Sequence, residues 1–332
     1  MRLDPRDVLA IDQDQLKQVR ERMGDKELRK MLSDAQRDLE ERISAIHPNS
    51  QGGFGDTQMR ATLEQVKAIQ RKLGGGIFNM IKDAAHRISD ASVDNTLRYL
   101  KVADNAYRGV GTSPLALNEA GLFTRARQGV MASLLHRFTD STAPDGSRKA
   151  GILTRYGAAG VMNFEDILRR GMVTKQPWLA MRQQITDSST FLKGAPAHWA
   201  ERIVRTEVAG AHNRASWESN REAEAQLGDM LKILSATFDN RTSADSYAVH
   251  GQCRRPNEPF DTWEGKHQHP PARPNDREII VPHRIRWDWP KYLTPKSNAE
   301  VSARWREEGR KKAHPPRPKM TTVKIPGVDF PV

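Results

Sequence analysis

The chain is short of the residues that cross-link small folds or embed a protein in lipid. Its 332 residues include one cysteine, Cys253, so an intrachain disulfide and a cysteine-based zinc site are both excluded. A lone thiol fits synthesis in a reducing compartment. No apolar run approaches the length that spans a bilayer, and the segment Met1 to Asp7 offers no apolar core for a secretory signal. The expectation is a protein made in the cytoplasm with no membrane partner. Also missing are HExxH, the glycine pattern of a phosphate-binding loop and a Gly-x-Ser-x-Gly elbow, so no standard enzyme signature stands out and no cofactor is implied. Apolar residues reach only 37% and aromatics 6%, which suits exposed helices around modest cores better than one large globule.

What is abundant is charge. Charged residues make up 28% and the net charge is +12, an excess that attracts polyanions such as nucleic acid or an acidic protein surface. The excess is strongest towards the end, where positions 301–332 carry eight Lys or Arg against three acids, among several prolines. That composition predicts an extended arm that orders on a partner. There is no internal repeat.

Hydrophobic spacing divides the rest. Leu28, Leu32, Ala35, Leu39, Ile43 and Ile46 recur at helical steps, and His47-Pro48 with Gly52-Gly53 predicts the stop. A second helix is expected from Asp56, with Met59, Leu63, Val66, Ile69 and Leu73 on its buried face and Gly74-Gly75-Gly76 as its end. Further helices are expected to about residue 190. A long helix is predicted from Pro196 to about Ala225, with a small-residue seam of Ala200, Val204, Val208, Ala211 and Ala215. After Gly228 the pattern shortens. Residues 230–238 read as a strand, Thr242 to Asp245 as the capped start of a short helix stopped by Gly251, and 278–281 as a strand closed off by Pro282. The Pro-, Gly- and His-rich stretch between them reads as irregular. The fold class is therefore α+β, predominantly helical: a helical region over 1–160, a small α+β domain over 161–282, and a basic, proline-containing extended arm over 283–332.

Three motif groups succeed one another in the second region. Arg202-Ile203-Val204-Arg205-Thr206-Glu207 precedes Ala211-His212-Asn213-Arg214-Ala215. Asp239-Asn240-Arg241-Thr242 comes after the expected strand. Glu258-Pro259-Phe260, Gly265, His269-Pro270-Pro271 and Pro274-Asn275 complete the series. In order and spacing this stretch, from Trp199 to Arg277, resembles the Mu F-like head-morphogenesis domain of phage minor head proteins. The resemblance implies a virion protein in the capsid interior or at the portal vertex, made in the host cytoplasm. Its partners would be the portal protein, the major capsid or scaffold protein, and double-stranded phage DNA. Its work would be head morphogenesis and DNA packaging, retention or ejection. One departure stands out: where the family carries Pro-Asn-Cys-Arg-Cys, this chain has Asp276-Arg277-Glu278, keeping Arg277 and replacing both cysteines by acids.

The polar cluster expected from these motifs is Arg202, Arg205, Thr206, Glu207, Asn213, Asp239, Arg241, Thr242 and Arg277. Buried polar side chains commonly fix neighbouring loops, and here Thr206, Glu207 and Asn213 are expected to hold the turn that carries Asp239, Arg241 and Thr242. A sharper alternative makes an acid–base site of Glu207, Asp239, Arg241, His250, Glu258 and His269, suited to a nucleic-acid-modifying or ADP-ribosyltransferase-like effector. His267, His269, His250 and Asp276 include metal-ligand types, but their spacing matches no standard site. For sequence-blind contact with DNA phosphates the candidates are Arg284, Arg286, Arg304, Arg306, Arg310, Lys311, Lys312, Arg317 and Lys319. Trp287, Trp289 and Trp305, interleaved among them, could stack on bases or anchor on protein. A third reading is a structural adaptor of the head–neck region that binds protein only.

Overall fold

A computed structural model describes residues 4–45, 56–107, 115–139, 195–239, 242–273 and 276–307, with scattered positions between 141 and 184. It is a predominantly helical α+β protein. The helices α1 (Pro5–Arg22), α2 (Leu28–Ser44), α3 (Asp56–Tyr107) and α4 (Glu119–Phe138) come first. A five-residue π-helical turn, Met23–Glu27, links α1 to α2. Two-residue strands β1 (Ser141–Thr142) and β2 (Arg148–Lys149) then pair with each other. The long helix α5 (Ala195–Leu227) leads into β3 (Met230–Ser235), α6 (Ala244–Val249), β4 (Cys253–Arg254), β5 (Phe260–Thr262), β6 (Gly265–His267), β7 (Ile279–Arg284) and α7 (Asn298–Glu307).

Two compact units emerge, each drawn from segments separated in sequence. One comprises Met1–Arg20, Ala84–Met131 and Arg205–Val332, the other Glu21–Asp83 and Ala132–Val204. In the second unit, α2 and the first half of α3 lie together, with Lys72 on Asp38 at 2.8 Å and Arg42 on Gln65 at 2.9 Å. The expected break from His47 to Gly53 lies outside the described residues. The glycines expected to end the second helix do not, because α3 runs straight through them. Glycine inside a helix costs only about 1 kcal/mol. At Gly76 the missing side chain makes room, since an added Cβ would sit 3.1 Å from the Met31 sulfur of α2.

The first unit carries the sheet, ordered β4-β3-β7 and antiparallel throughout. Every residue of β3 and β7 is buried. Pro282, the expected stop, stands inside β7 opposite Lys232; β7 is an edge strand, where a missing N–H is tolerated. Trp217 of α5, Leu234, Val249, Phe260 and Ile280 form the core on one side, with Trp263 packed against it. The stretch expected to be irregular supplies β4 and the β5–β6 hairpin. Gln252 fixes that hairpin by accepting from Asp261 N at 2.6 Å and donating to Asp261 O at 2.9 Å, while Arg254 pairs with the Asp261 carboxylate at 2.7 Å. Cys253, at the centre of this arrangement, is buried, and burial pushes its thiol up to about 12.

Residues 283–307 are packed, not an extended arm. Trp287 and Leu293 are buried, Tyr292 shares a hydrogen bond with Tyr99 of α3, and α7 lies against α6. The remainder of the expected arm, 308–332, lies outside the described residues. The close approach of this segment generates a test. At Gly251 φ is +76° and a Cβ would meet Leu293 O at 2.5 Å, whereas at Gly228 φ is +74° with nothing within 4 Å. Gly228→Ala should cost about 1–2 kcal/mol, the left-handed strain alone, and Gly251→Ala more than about 3 kcal/mol, because backbone must also move. Equal losses for the two in chemical denaturation would mean that residues 291–295 do not press on Gly251.

Candidate functional site

Helix α5 turns polar groups inward. Thr206, Glu207, His212, Asn213, Ser216, Ser219 and Asn220 are all buried along it. Asn213 donates to Ala209 O at 3.1 Å and Glu278 O at 2.9 Å, and accepts from Ile280 N at 3.1 Å. It therefore docks β7 onto the helix. It does not hold the Asp239 turn, contrary to the expectation from sequence, because the strand's own backbone groups need these partners once buried. Thr206 and Glu207 are buried one to two turns earlier, Arg205 is half-buried and Arg202 exposed.

The Asp239 turn closes on itself and on Arg277. Asp239 N donates to Thr242 Oγ1 at 2.9 Å, and the Thr242 hydroxyl reaches Thr237 O. Arg277 grips the Asp239 carboxylate with both terminal nitrogens, Nη2 to Oδ1 at 2.7 Å, and comes within 3.4 Å of Thr242 Oγ1. That hydrogen bonding holds the Arg277 guanidinium above its ordinary pKa. Arg304 of α7 adds a 2.7 Å bond from Nε to Thr242 O. Arg241, Pro274 and Asn275 lie outside the described residues. Thus Asp239, Thr242 and Arg277 form one knot and Asn213 a second, joined through the two-residue step from Arg277 to β7.

Next to this knot is a third group that the motifs did not single out. Arg273 pairs with Asp245 of α6, donates to Ser243 Oγ at 3.0 Å, and binds Asp276 through its backbone N at 2.7 Å and its side chain at 3.3 Å. Ser243 also caps α6 by accepting from Ser246 N. Glu278 is only 5% exposed, and its Oε2 has no hydrogen-bond partner. Burial, then the charge of Asp276, pushes the Glu278 carboxyl up; burial does the same to Asp276 against the pull of Arg273. The signals for these residues were that Asp276 and Glu278 stand where the resembled family has cysteines, and that Asp276 is a metal-ligand type near His267 and His269. The two acids line a cleft of about 30 Å³ with Phe260, Val249, Trp263 and His269.

Among the described residues, His250 and Asp239 of the expected acid–base site are already engaged. His250 is buried and fully used: its Nδ1 accepts from Ala236 N and its Nε2 donates to Tyr292 O, both at 3.1 Å. Burial lowers its pKa to about 4. Asp239 is held by Arg277, Glu258 is exposed, and His269 lies 5.7 Å from the Trp217 ring. Among the described residues no three His, Cys, Asp or Glu side chains meet as a metal site.

Of the arginines expected on DNA, two face inward. Arg284 is 5% exposed, bonds Asp229 at 2.9 Å and lies 3.4 Å from Asp104 of α3. Arg304 binds Thr242 and Glu307. For Arg284, reaching phosphate would mean leaving buried acids, whereas the Arg304 acid partner, Glu307, is exposed. Arg286 and Arg306 are exposed, although Arg286 also touches Asp229 at 2.7 Å. Arg310, Lys311, Lys312, Arg317 and Lys319 lie outside the described residues. Trp287 is buried and donates to Asp104 at 3.2 Å, so it anchors on its own chain. Among the described residues no helix is long and apolar enough to cross a membrane. No family model, no curated protein and no solved structure matches the chain.

These assignments are open to measurement. Asn213→Ala strips partners from Ile280 N and Glu278 O, and should destabilise the fold by about 2–5 kcal/mol in urea denaturation, since each orphaned buried group costs about 1–3 kcal/mol; a loss below about 1 kcal/mol would contradict the docking role. Burial also lowers His283 to about 4. Between the ordinary imidazole pKa and about 4, the unfolded chain takes up protons that folded His250 and His283 refuse, so stability should fall on acidification through that window. The raised Asp276 and Glu278 carboxyls act in the opposite sense. His283→Phe should remove roughly half of the histidine loss; an unchanged pH slope in the same assay would assign it to other groups.

Proposed function

We propose that the chain is a minor head protein of a phage virion, acting at the portal in head morphogenesis and in DNA packaging, retention or ejection. The observation that carries this reading is the convergence of motif residues far apart in sequence. Asp239 and Thr242 meet Arg277, and Asn213 meets the backbone of Glu278 and Ile280. Motifs have a physical reason to recur in one order when their members hold one another in place. The roles are structural: Asp239, Thr242, Arg277, Asn213 and His250 pair internally, which also disfavours the effector reading.

In this function the partners are the portal protein, capsid or scaffold protein, and double-stranded DNA held through its phosphates. With Arg284 and Arg304 committed internally, DNA contact falls to Arg286, Arg306 and the basic residues of 308–332. The inward turn of those two arginines favours, as a second reading, an adaptor that binds protein alone.

The test is capture of the phage's portal by the full chain, together with a DNA titration at two salt concentrations. If about five phosphates are contacted, affinity should fall on the order of 10²- to 10³-fold between about 50 and 200 mM salt. Portal capture without salt-sensitive DNA binding would leave the adaptor. Failure of both would refute the head-protein reading.

A further inference from the structure

The cleft beside the Arg273 network is built differently from the rest of the core. Its walls come from α6 (Val249, Asp245, Ser246), the β5–β6 hairpin (Phe260, Thr262, Trp263) and the segment 269–278. Its apolar surface is provided by Leu234, Val249, Phe260, Pro270 and Ala272. Its charges are unbalanced. Asp245, Asp276, Glu278 and, at the hairpin turn, Glu264 face it, against one cation, Arg273, with His267 and His269 alongside. Arg273 already serves Asp245 and Asp276. Glu278, more than nine-tenths buried in the cleft wall, has Ser246 as a hydrogen-bond partner but keeps one carboxyl oxygen, Oε2, that no hydrogen bond satisfies. A buried carboxyl oxygen without a donor is costly, and in a native fold such a group calls for an explanation.

We propose that this cleft receives a primary alkylammonium group, the end of a lysine side chain or of a free aliphatic amine, with the nitrogen on Glu278 and the methylenes along the wall beside the partly exposed Trp263. Three observations select this chemistry. The unmet requirement is for a donor, and the excess of acids favours a cationic one. The space, about 30 Å³, is enough for a water-sized group, and a compact ammonium head is of that size. Aromatic and aliphatic walls suit the methylene stem of such a side chain. The same chain already seats a lysine amine next door: Lys232 Nζ lies 4.7 Å from the centre of the Phe260 ring and donates to Gln268 O at 2.7 Å, with burial lowering its pKa to about 7. This site does not depend on the head-protein reading.

The proton on Glu278 makes the proposal specific. Burial and Asp276 favour the neutral carboxyl in the unoccupied cleft. An arriving cation favours the carboxylate, so occupancy expels a proton, and affinity rises with pH through the Glu278 titration.

The test is calorimetry on the full chain with n-butylammonium and, as neutral match, n-butanol, in two buffers of different ionisation enthalpy. The expected result is amine binding at least about tenfold tighter than the alcohol, proton release seen as a buffer-dependent heat, and binding that tightens as pH rises through the Glu278 titration. Amide shifts should cluster at 245–249, 260–265 and 276–278. Glu278→Gln, checked for folding by circular dichroism, should lose the amine-over-alcohol preference. A short peptide with one central lysine, against its norleucine counterpart, separates the sources: preferential binding of the lysine peptide assigns a protein ligand, and binding of butylammonium alone assigns a free amine. Equal binding of alcohol and amine, shifts elsewhere, or no binding of any probe would overturn the proposal. The amide-shift map of the wild-type chain decides the matter even if the variant does not fold.

Discussion

A helix that buries amides, hydroxyls and an imidazole where leucines would ordinarily sit places a strict condition on everything around it. A group withdrawn from water by α5 is stabilised by a partner at about 3 Å, and several such partners come from elements remote in sequence. His212 Nε2 meets Asp12 of α1 at 2.8 Å, and Asn95 of α3 meets the same Asp12 oxygen at 2.8 Å. Ser92 of α3 donates to His212 O and lies 2.9 Å from Ser216 Oγ. Asn220 donates to Leu231 O in β3, and Asn213 holds β7. Apolar packing would tolerate small slides between these elements; directional bonds do not. The small α+β layer is thus positioned by one helix, and the motif residues are its fastening points.

The arginines obey a related rule. Arg273, Arg277 and Arg284 come from one short stretch of chain, and each closes on a different acid: Asp245, Asp239 and Asp229. A strong positive composition suggests a polyanion, yet part of that charge is architecture. Removing one partner of a buried pair leaves an uncompensated charge and is far more damaging than never having made the pair. Charge summed over a sequence therefore overstates what a surface offers, and the correction is residue by residue. Here the charges of Arg284 and Arg304 are engaged within the chain.

Much of the fold was legible because it repeats. The 3.6-residue stripe of α2, the long α5, the bounded β3 and the Ser243-capped α6 all stand close to where spacing and capping put them. What failed was punctuation. Gly74 to Gly76 read as a stop because glycine is the usual residue past a helix end, but a helix neighbour that needs closeness recruits the same residue. Pro282 read as a terminator, although its missing donor matters only when the neighbouring side is occupied. The β5–β6 hairpin was hidden because its strands are three residues long and fixed by Gln252 and Arg254, side chains on another strand and its approach. In the site, the motif members were visible and their pairing was not: Asn213 was assigned to the wrong loop, since a helical face says which way a side chain points but not which backbone arrives there. Arg273 and Glu278 gave almost no signal alone, because their significance lies in burial.

The lone cysteine has a practical consequence. Cys253 is enclosed in β4 opposite Ile233, and its thiol is held far from ionisation at neutral pH. Only the thiolate reacts with maleimides and iodoacetamides, so the folded chain is chemically silent to these reagents. A cysteine introduced at an exposed position such as Glu307 on α7 would be the single labelling point on a folded molecule. A dye or tether could then be attached at one defined place without first deleting a native thiol.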